Sequence, residues 1–546
     1  ARLRTDPQSR LLMLESLRPY VQSCIEGLSK DFLNKPLILP EEAVKPATIA
    51  QALQKHMTSA YELVARDICL NDKKSSAKLQ EQLTLSLHRA ITGLGLQLLR
   101  SYQLYIPVQR KLWIQLHQLF QIAEYWDCAN SPVEDPNLQH KTACTIQQAY
   151  CRVLLLACTR PNQLRQFEVG AIYSALELWS EYADLIPGAT NRENLFVVNL
   201  SSDLPPMYKN RFRGNENNDI RELDTRKLIS TIRKKMDGER DGSHKLSSEI
   251  SDSILAHLNN AWCINRQRHF ERRLSKGELE VAVGLTNLHY YLAGETPFKN
   301  FLLGTESGGR GASISSSIDD FFEVKTSKKP SDPWSDSFDA GGNKMSNTAA
   351  PMKKKGTAPD TSYQSNTISI QDTSPGGYCL SWAENIPLQV RAGEIIGLRE
   401  PGRRSWSIGV IRWLSQLKGS SQLGIQVLSP QAQAIGVSAI NTTSDGTDFL
   451  RALLLPEIKS INQPASLLTA AIPFKEQGKV SINEKGAVRK AQLVHQLLAT
   501  GTVAQYSFRE LETAEEKPSR APRRQESSEP KKVKKTAPDD FDSLWD

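Results

Sequence analysis

Two short stretches carry residue types that could do chemistry together. The first is Arg266, Arg268, Arg272 and Arg273, four guanidinium groups within eight residues. Arginine is planar, permanently charged and bidentate, so it suits phosphate oxygens and the acceptor edge of guanine, and it stacks on aromatic planes. The second is Asp372-Thr373-Ser374-Pro375-Gly376-Gly377. Here a carboxylate and a hydroxyl two residues apart can hydrogen-bond, and paired glycines leave bare backbone that a flat ligand can approach closely. Each stretch also has a plain reading. Arginines crowd at solvated helix ends, and Asp, Ser and Gly collect in ordinary turns.

The elements that must position these stretches follow from periodicity. Over residues 1–186 apolar residues recur at helical spacing, with helices expected at Leu11–Leu17, Ile49–Cys69, Leu79–Tyr105, Val108–Trp126, Lys141–Cys158 and Val169–Ile186. Breaks are expected at Pro36, Pro40, Pro46, Pro107, Pro136 and Pro161. This predicts an all-α domain of helical hairpins, with Trp113, Trp126 and Trp179 facing its core. Residues 187–264 read as an α/β connecting segment, with a strand at Leu195–Leu200 and helices at Arg221–Met236 and Leu246–Asn260.

The arginine arm then leads into the strand Glu278–Leu285, within residues 265–303. Residues 304–360 are rich in Gly, Ser and Lys and too poor in apolar groups to offset the entropy of ordering, which predicts a disordered insertion. Short strands with glycine-bearing turns fill 361–435, which is expected to be a small antiparallel barrel. A second β-rich unit is expected at 436–511 and a disordered charged tail at 512–546. The fold class is therefore multidomain, α then β.

With those elements in place the resemblance becomes specific. Arg268-His269-Phe270-Glu271-Arg272 fits an Arg-x-x-x-Arg element, and Asp372 to Gly377 fits an Asp/Asn-x-Ser-x-x-Gly element. Trp406–Trp413 and Leu423–Val427 fit the closing strands of the same pattern. Together they resemble the PilZ family of bacterial cyclic di-GMP receptors, over about Arg266–Leu303 and Thr367–Pro430. The departure is the long insertion between the two motif elements, which leaves the arginine register open. A second Arg-x-x-x-Arg, Arg399 to Arg403, lies after the Asp-Ser turn, where the family's motif does not.

The resemblance implies a non-catalytic receptor for cyclic di-GMP. It implies that Arg268 and Arg272 close over phosphate and guanine, and that Asp372, Ser374 and Gly377 form the guanine-facing barrel edge. Arg266, Arg273 and Gly376 are auxiliary candidates. The alternative is a PilZ-like scaffold without ligand that mediates protein–protein contacts.

Other classes are disfavoured by what the chain lacks. It has 546 residues, too many for one core, and a formal net charge of +8 with acidic residues nearly as common as basic ones. That balance gives no general nucleic-acid surface, and Lys531–Lys535 has no interleaved aromatics, so neither DNA nor RNA is an expected partner. No apolar run is long enough for membrane insertion, and no signal or transit pattern opens the chain, so a cytoplasmic location is expected. The start at Ala1 rather than Met fits a few residues lacking before it. No phosphate loop, zinc-protease helix or nucleophile elbow is present, so no enzyme, metal or cofactor is expected.

The eight cysteines include no Cys-x-x-Cys. Cys144, Cys151 and Cys158 fall at heptad spacing, expected on one helix face as reduced, buried side chains. Protein partners are expected to meet the helical domain and three acidic-aromatic islands, Ile318–Phe322, Pro333–Asp339 and Pro538–Asp546, with Trp334, Phe338, Phe541, Leu544 and Trp545 as anchors.

Overall fold

The helical periodicity of the first third buries itself in six helices: α1 (Pro7–Phe32), α2 (Glu41–Asn71), α3 (Ala77–Gln103), α4 (Leu112–Tyr125), α5 (Ile146–Ala157) and α6 (Gln166–Trp179). A computed structural model describes residues 5–71, 76–188, 194–214, 219–237, 250–263, 271–304, 363–383, 386–417, 420–440, 448–459 and 463–511. Local chemistry sets the helix starts. Asp6 accepts the Ser9 N–H at 2.8 Å to open α1, with Pro7 at the first helical position. Thr145 and Gln148 cap α5 reciprocally. The central helix is α3, whose Leu83, Leu87, Ile91, Leu94 and Leu98, three and four residues apart, are all buried.

Periodicity over-extended three helices, and in each case the overrun is a strand. The stretch before α5 is β2 (Ala143–Thr145), paired with β1 (Pro132–Glu134). Cys144 therefore sits on a strand and not on the helix of Cys151; these two and Cys158 are free and buried. The expected helix to Ile186 ends at Trp179, and Asp184–Pro187 is β3. The stretch Arg221–Asp224 belongs to β6 (Ile220–Asp224), which lies between β3 and β4 (Phe196–Asn199), with β5 (Met207–Tyr208) at the far edge. Segments of three to five residues are too short to tell the two periods apart, and only a partner strand decides between them. Pro46, expected as a break, lies inside α2, where Ala43, Ala47 and Ala50 packed around Phe32 carry the helix through it.

The region 187–264 does not stand apart. Phe196, Val198, Leu200 and Leu223, with Leu228 and Ile232 of α7 (Arg226–Met236) and Leu255, Leu258 and Trp262 of α8 (Asp252–Cys263), join the helical core. Trp262 meets Trp179 edge to face at 6.4 Å. Trp113 is buried as expected and Trp126 partly so.

The next strands are β7 (Arg273–Leu274), β8 (Glu278–Val283), β9 (Asn366–Ser374), β10 (Gly377–Trp382), β11 (Ile395–Arg399), β12 (Ser407–Leu417) and β13 (Ser420–Ser429), with α9 (Leu285–Leu292) and α10 (Phe298–Leu302) after β8. They are antiparallel, and the order β8–β9–β10–β13–β12–β11 closes back on β8, with β7 laid along β9. A second closed barrel follows, from β14 (Gln433–Ala439), β15 (Leu450–Leu455), β16 (Ser466–Ala470), β17 (Lys479–Glu484), β18 (Ala487–Ala499) and β19 (Val503–Glu510). The expected fold class is thus observed, helices first and two β-barrels after. The expected insertion beyond Gly304, including two of the acidic-aromatic islands, and the tail after Leu511 lie outside the described residues.

The three parts interlock. Leu37 and Tyr105 of the helical domain belong to the core of the first barrel, and the Gln416 N–H donates to the Tyr105 carbonyl at 2.8 Å. Leu288, Ile395 and Val410 of the first barrel region pack on Leu453, Leu468 and Val503 of the second. All three parts meet at Arg165, whose guanidinium donates to the Ala392 carbonyl at 3.1 Å and to the Thr502 hydroxyl at 3.2 Å.

Beside this junction Glu394 is 5% exposed, and burial pushes its carboxyl up to about 7 despite Arg165 and Arg391 nearby. A raised folded-state value favours the protonated form, so this group's contribution is complete below the unfolded value near 4.5 and is lost as pH rises through 7. Glu394→Gln is therefore expected to gain stability over wild type between pH 5 and 8, by on the order of 3 kcal/mol at the upper end. Paired thermal scans across that range check it; a parallel pH dependence of the two proteins would refute it.

Candidate ligand-binding site

Strand β7 runs antiparallel to β9, with Arg273 opposite Thr373 and Leu274 opposite Asp372. This pairing joins the two sequence motifs across a hundred residues. Arg272 donates from Nη1 to the Asp372 carboxylate at 3.1 Å, and its guanidinium lies 5.8 Å from the centre of the Trp413 indole. Arg273 is exposed. Arg266 and Arg268 lie outside the described residues.

The hairpin between β9 and β10 turns at Pro375-Gly376, so Asp372 and Ser374 are strand residues and not turn residues. Ser374 donates its hydroxyl to the Gly377 carbonyl at 3.4 Å. Gly376 accepts from the Val427 N–H at 3.0 Å. Gly377 lies against β13 so closely that a Cβ there would overlap the Ile425 carbonyl oxygen. Its identity is therefore a requirement of strand packing. The other Arg-x-x-x-Arg is structural: Arg399 pairs with Glu280 of the neighbouring strand at 2.6 Å and lies over Trp406, and Arg403 pairs with Glu400.

These residues border a cavity of about 800 Å³, toward the upper end of the roughly 300–1,000 Å³ that ligand sites occupy. Its barrel wall carries Arg272, Asp372, Ser374, Gly376, Gly377, Arg412, Trp413 and Gln426. Of these, sequence reasoning missed Arg412, Trp413 and Gln426. A bulge in β12 between Ile411 and Trp413 interrupts the alternation that would send neighbours to opposite faces, so Arg412 and Trp413 both reach the cavity. Arg412 donates from Nε to the Gln426 side-chain oxygen. Gly424 makes room for the indole, since a Cβ there would overlap Trp413. The Arg412-Trp413 doublet, a cation beside a large plane, was the signal in the sequence that could have found them.

The remaining lining comes from other parts of the chain: Arg160 and Asn162, Tyr208 and Arg211, His257 and Asn260 of α8, and Leu497–Ala499 of β18. No pattern in the sequence marks these residues. The charged groups among the described lining residues are Arg160, Arg211, Arg272, Arg412 and Asp372, four cations against one carboxylate. Cys379, beside Arg272 and Asp372, has its thiol pushed up by burial to about 11, which leaves it neutral and no nucleophile. No cluster of His, Cys, Asp and Glu able to hold a metal occurs among the described residues. The site offers cations, flat faces and amide groups, the equipment for binding an anion that carries aromatic bases.

A closed antiparallel barrel, with β7 laid along the strand that bears Asp372, defines the class: a PilZ-type binding domain, here set between a helical domain and a second barrel. Family models for the cyclic-di-GMP receptor FimW match in three consecutive pieces, the N-terminal domain over residues 1–189, the middle PilZ domain over 195–434 and the C-terminal β-barrel domain over 435–511. The chain is 32% identical to the cyclic-di-GMP receptor FimW of Pseudomonas aeruginosa, over 98% of its own length and 89% of the relative's. It belongs to the FimW family of cyclic-di-GMP receptors, a family named for binding and not for catalysis. No solved structure matches it.

The packing at Gly377 makes a direct prediction. Gly377→Ala is expected to force β10 and β13 apart and to destabilise the fold by about 1–3 kcal/mol, the usual range for overpacking. Circular dichroism melting checks this, and an unchanged midpoint would show that the hairpin relaxes freely.

Proposed function

We propose that this protein is a non-catalytic receptor that binds cyclic di-GMP in the cavity bordered by Arg272, Asp372 and Trp413. The ion pair between Arg272 and Asp372 carries the reading. In the structure the Asp372 carboxylate pairs with the Arg272 guanidinium. A cyclic dinucleotide offers each partner a better match: a phosphodiester for Arg272, and guanine N–H donors for Asp372, so that both groups exchange one charge-assisted bond for another. Arg268, the other arginine of the Arg-x-x-x-Arg element, closes over the ligand from the arm, and the Trp413 face stacks a base. Ser374 supports the guanine edge, and Gly376 and Gly377 hold the backbone close to it. Arg266 and Arg273 add positive charge beside the arm.

The output of this receptor is a change in how the arm, the barrel and the helical domain pack, passed to protein partners through the helical domain and the acidic-aromatic islands. No helix among the described residues is long and apolar enough to cross a membrane, and the proposed setting is the cytoplasm, where cyclic di-GMP acts as a messenger.

Calorimetric titration of the full chain with cyclic di-GMP is expected to give saturable binding. Arg268→Ala, Arg272→Ala and Asp372→Ala are each expected to weaken it by at least about 10-fold, as loss of a charge-assisted bond of roughly 1.5–3 kcal/mol implies. A wild-type protein that gives no saturable heat would end this reading.

A further inference from the structure

The barrel wall accounts for only part of the cavity. Cyclic di-GMP is a two-fold molecule, with two phosphodiester charges and two guanines. The barrel wall holds one set of cations and one half-buried plane, namely Arg272 and Arg412 with the Trp413 indole. A second set of the same composition lines the same cavity from other parts of the chain. The Arg160 guanidinium is 5.9 Å and that of Arg211 5.8 Å from the centre of the Tyr208 ring.

We propose that Arg160, Tyr208 and Arg211 form a second half-site, so that one cyclic di-GMP bridges the barrel to the helical domain; this rests on the receptor reading above. Three features on that wall support the assignment. Tyr208 is held in place, since its hydroxyl accepts from Arg160 Nη2 at 2.8 Å and donates to the Ala261 carbonyl at 3.2 Å, while its ring lies 5.0 Å from that of Phe196. A fixed ring is a stacking platform that loses little entropy on binding. Arg160 adopts φ +55, a left-handed conformation that is sparse for a side-chain-bearing residue and is sustained here directly before Pro161. Arg211, by contrast, is exposed and lies over the same ring.

Electrostatics point the same way. Arg160, Arg211, Arg272 and Arg412 share one cavity with the carboxylate of Asp372 alone among the described charged lining groups, and like charges around a common space repel. A doubly anionic guest relieves that repulsion. Asn162, Asn260 and Gln163 on the same wall supply amide donors and acceptors for a second base edge.

The test uses cyclic di-GMP titrated calorimetrically into the full chain. Arg211→Ala and Arg160→Ala are each expected to weaken Kd by about 10-fold or more, with the melting midpoint of ligand-free Arg211→Ala unchanged. Arg213→Ala is the charge control: it removes the same charge two residues away from a side chain that does not line the cavity, and it is expected to stay within about twofold of wild type. Wild-type affinity in both Arg211→Ala and Arg160→Ala, alongside weakened binding in Arg272→Ala, would overturn the second half-site and leave the receptor reading intact. Equal weakening by Arg213→Ala would also overturn it, assigning the effect to net charge. Failure of the wild type to bind would remove the receptor reading itself, and this one with it.

Discussion

The pairing of β8 with β9 is the constraint on which the rest depends. It joins Glu278–Val281 to Asn366–Ser369 across the whole stretch 305–362, and without it the first barrel has two open edges and no site. Closure across so long a segment is affordable because its entropy grows only logarithmically, by about 0.6 kcal/mol per doubling of length. Against that stand the ladder itself, the burial of Leu279, Val281 and Ile368 in the barrel core, and the Arg399–Glu280 pair on the neighbouring strand. Once β8 and β9 are zipped, β7 has a strand to lie against, and Arg272 is delivered to Asp372.

The barrel is finished by its neighbours as much as by its own strands. Tyr105 and Leu37, from the helical domain, enter its core, and Tyr105 is tied back by its hydroxyl to the Leu164 carbonyl at 2.7 Å. Four residues before Arg165, Pro161 begins the 3-10 turn that follows Arg160. A single short segment, Arg160 to Arg165, therefore carries a cavity-lining cation at one end and the three-way junction at the other. Movement at one end cannot be independent of the other, because a segment of six residues held at both ends has few conformations to choose from.

What could be read from the sequence, and what could not, divides along physical lines. The Asp372-to-Gly377 hairpin and the barrel strands are legible because turn chemistry and period-two alternation are local signals. The PilZ-like class came from the same residues. The helical domain is legible as helices, yet the same periodicity extends over β2 and β3, and that of the connecting segment over β6, since three to five residues fit either period until a partner strand selects one. Arg160, Tyr208 and Arg211 were not legible at all. They are scattered over fifty residues of ordinary context, and only the tertiary fold brings them into one cavity with Trp413. Gly377 was legible as important for an incomplete reason: the sequence suggested room for a ligand, whereas the structure shows room for the Ile425 carbonyl.

A site whose walls come from the helical domain, the first barrel and the edge of the second is necessarily coupled to how these parts are arranged. Linkage is reciprocal: if a ligand binds one arrangement more tightly, whatever stabilises that arrangement tightens the ligand by the same factor. On the proposed binding mode, the ion pair of Arg272 with Asp372, at 3.1 Å, sets the threshold for that exchange, because an entering anion would have to displace the carboxylate. A monoanion at one wall replaces one bond with one bond and gains little. A dianion that reaches both walls answers the excess of guanidinium groups on each, and the difference between those two cases is the free energy available to shift one part of the protein against another.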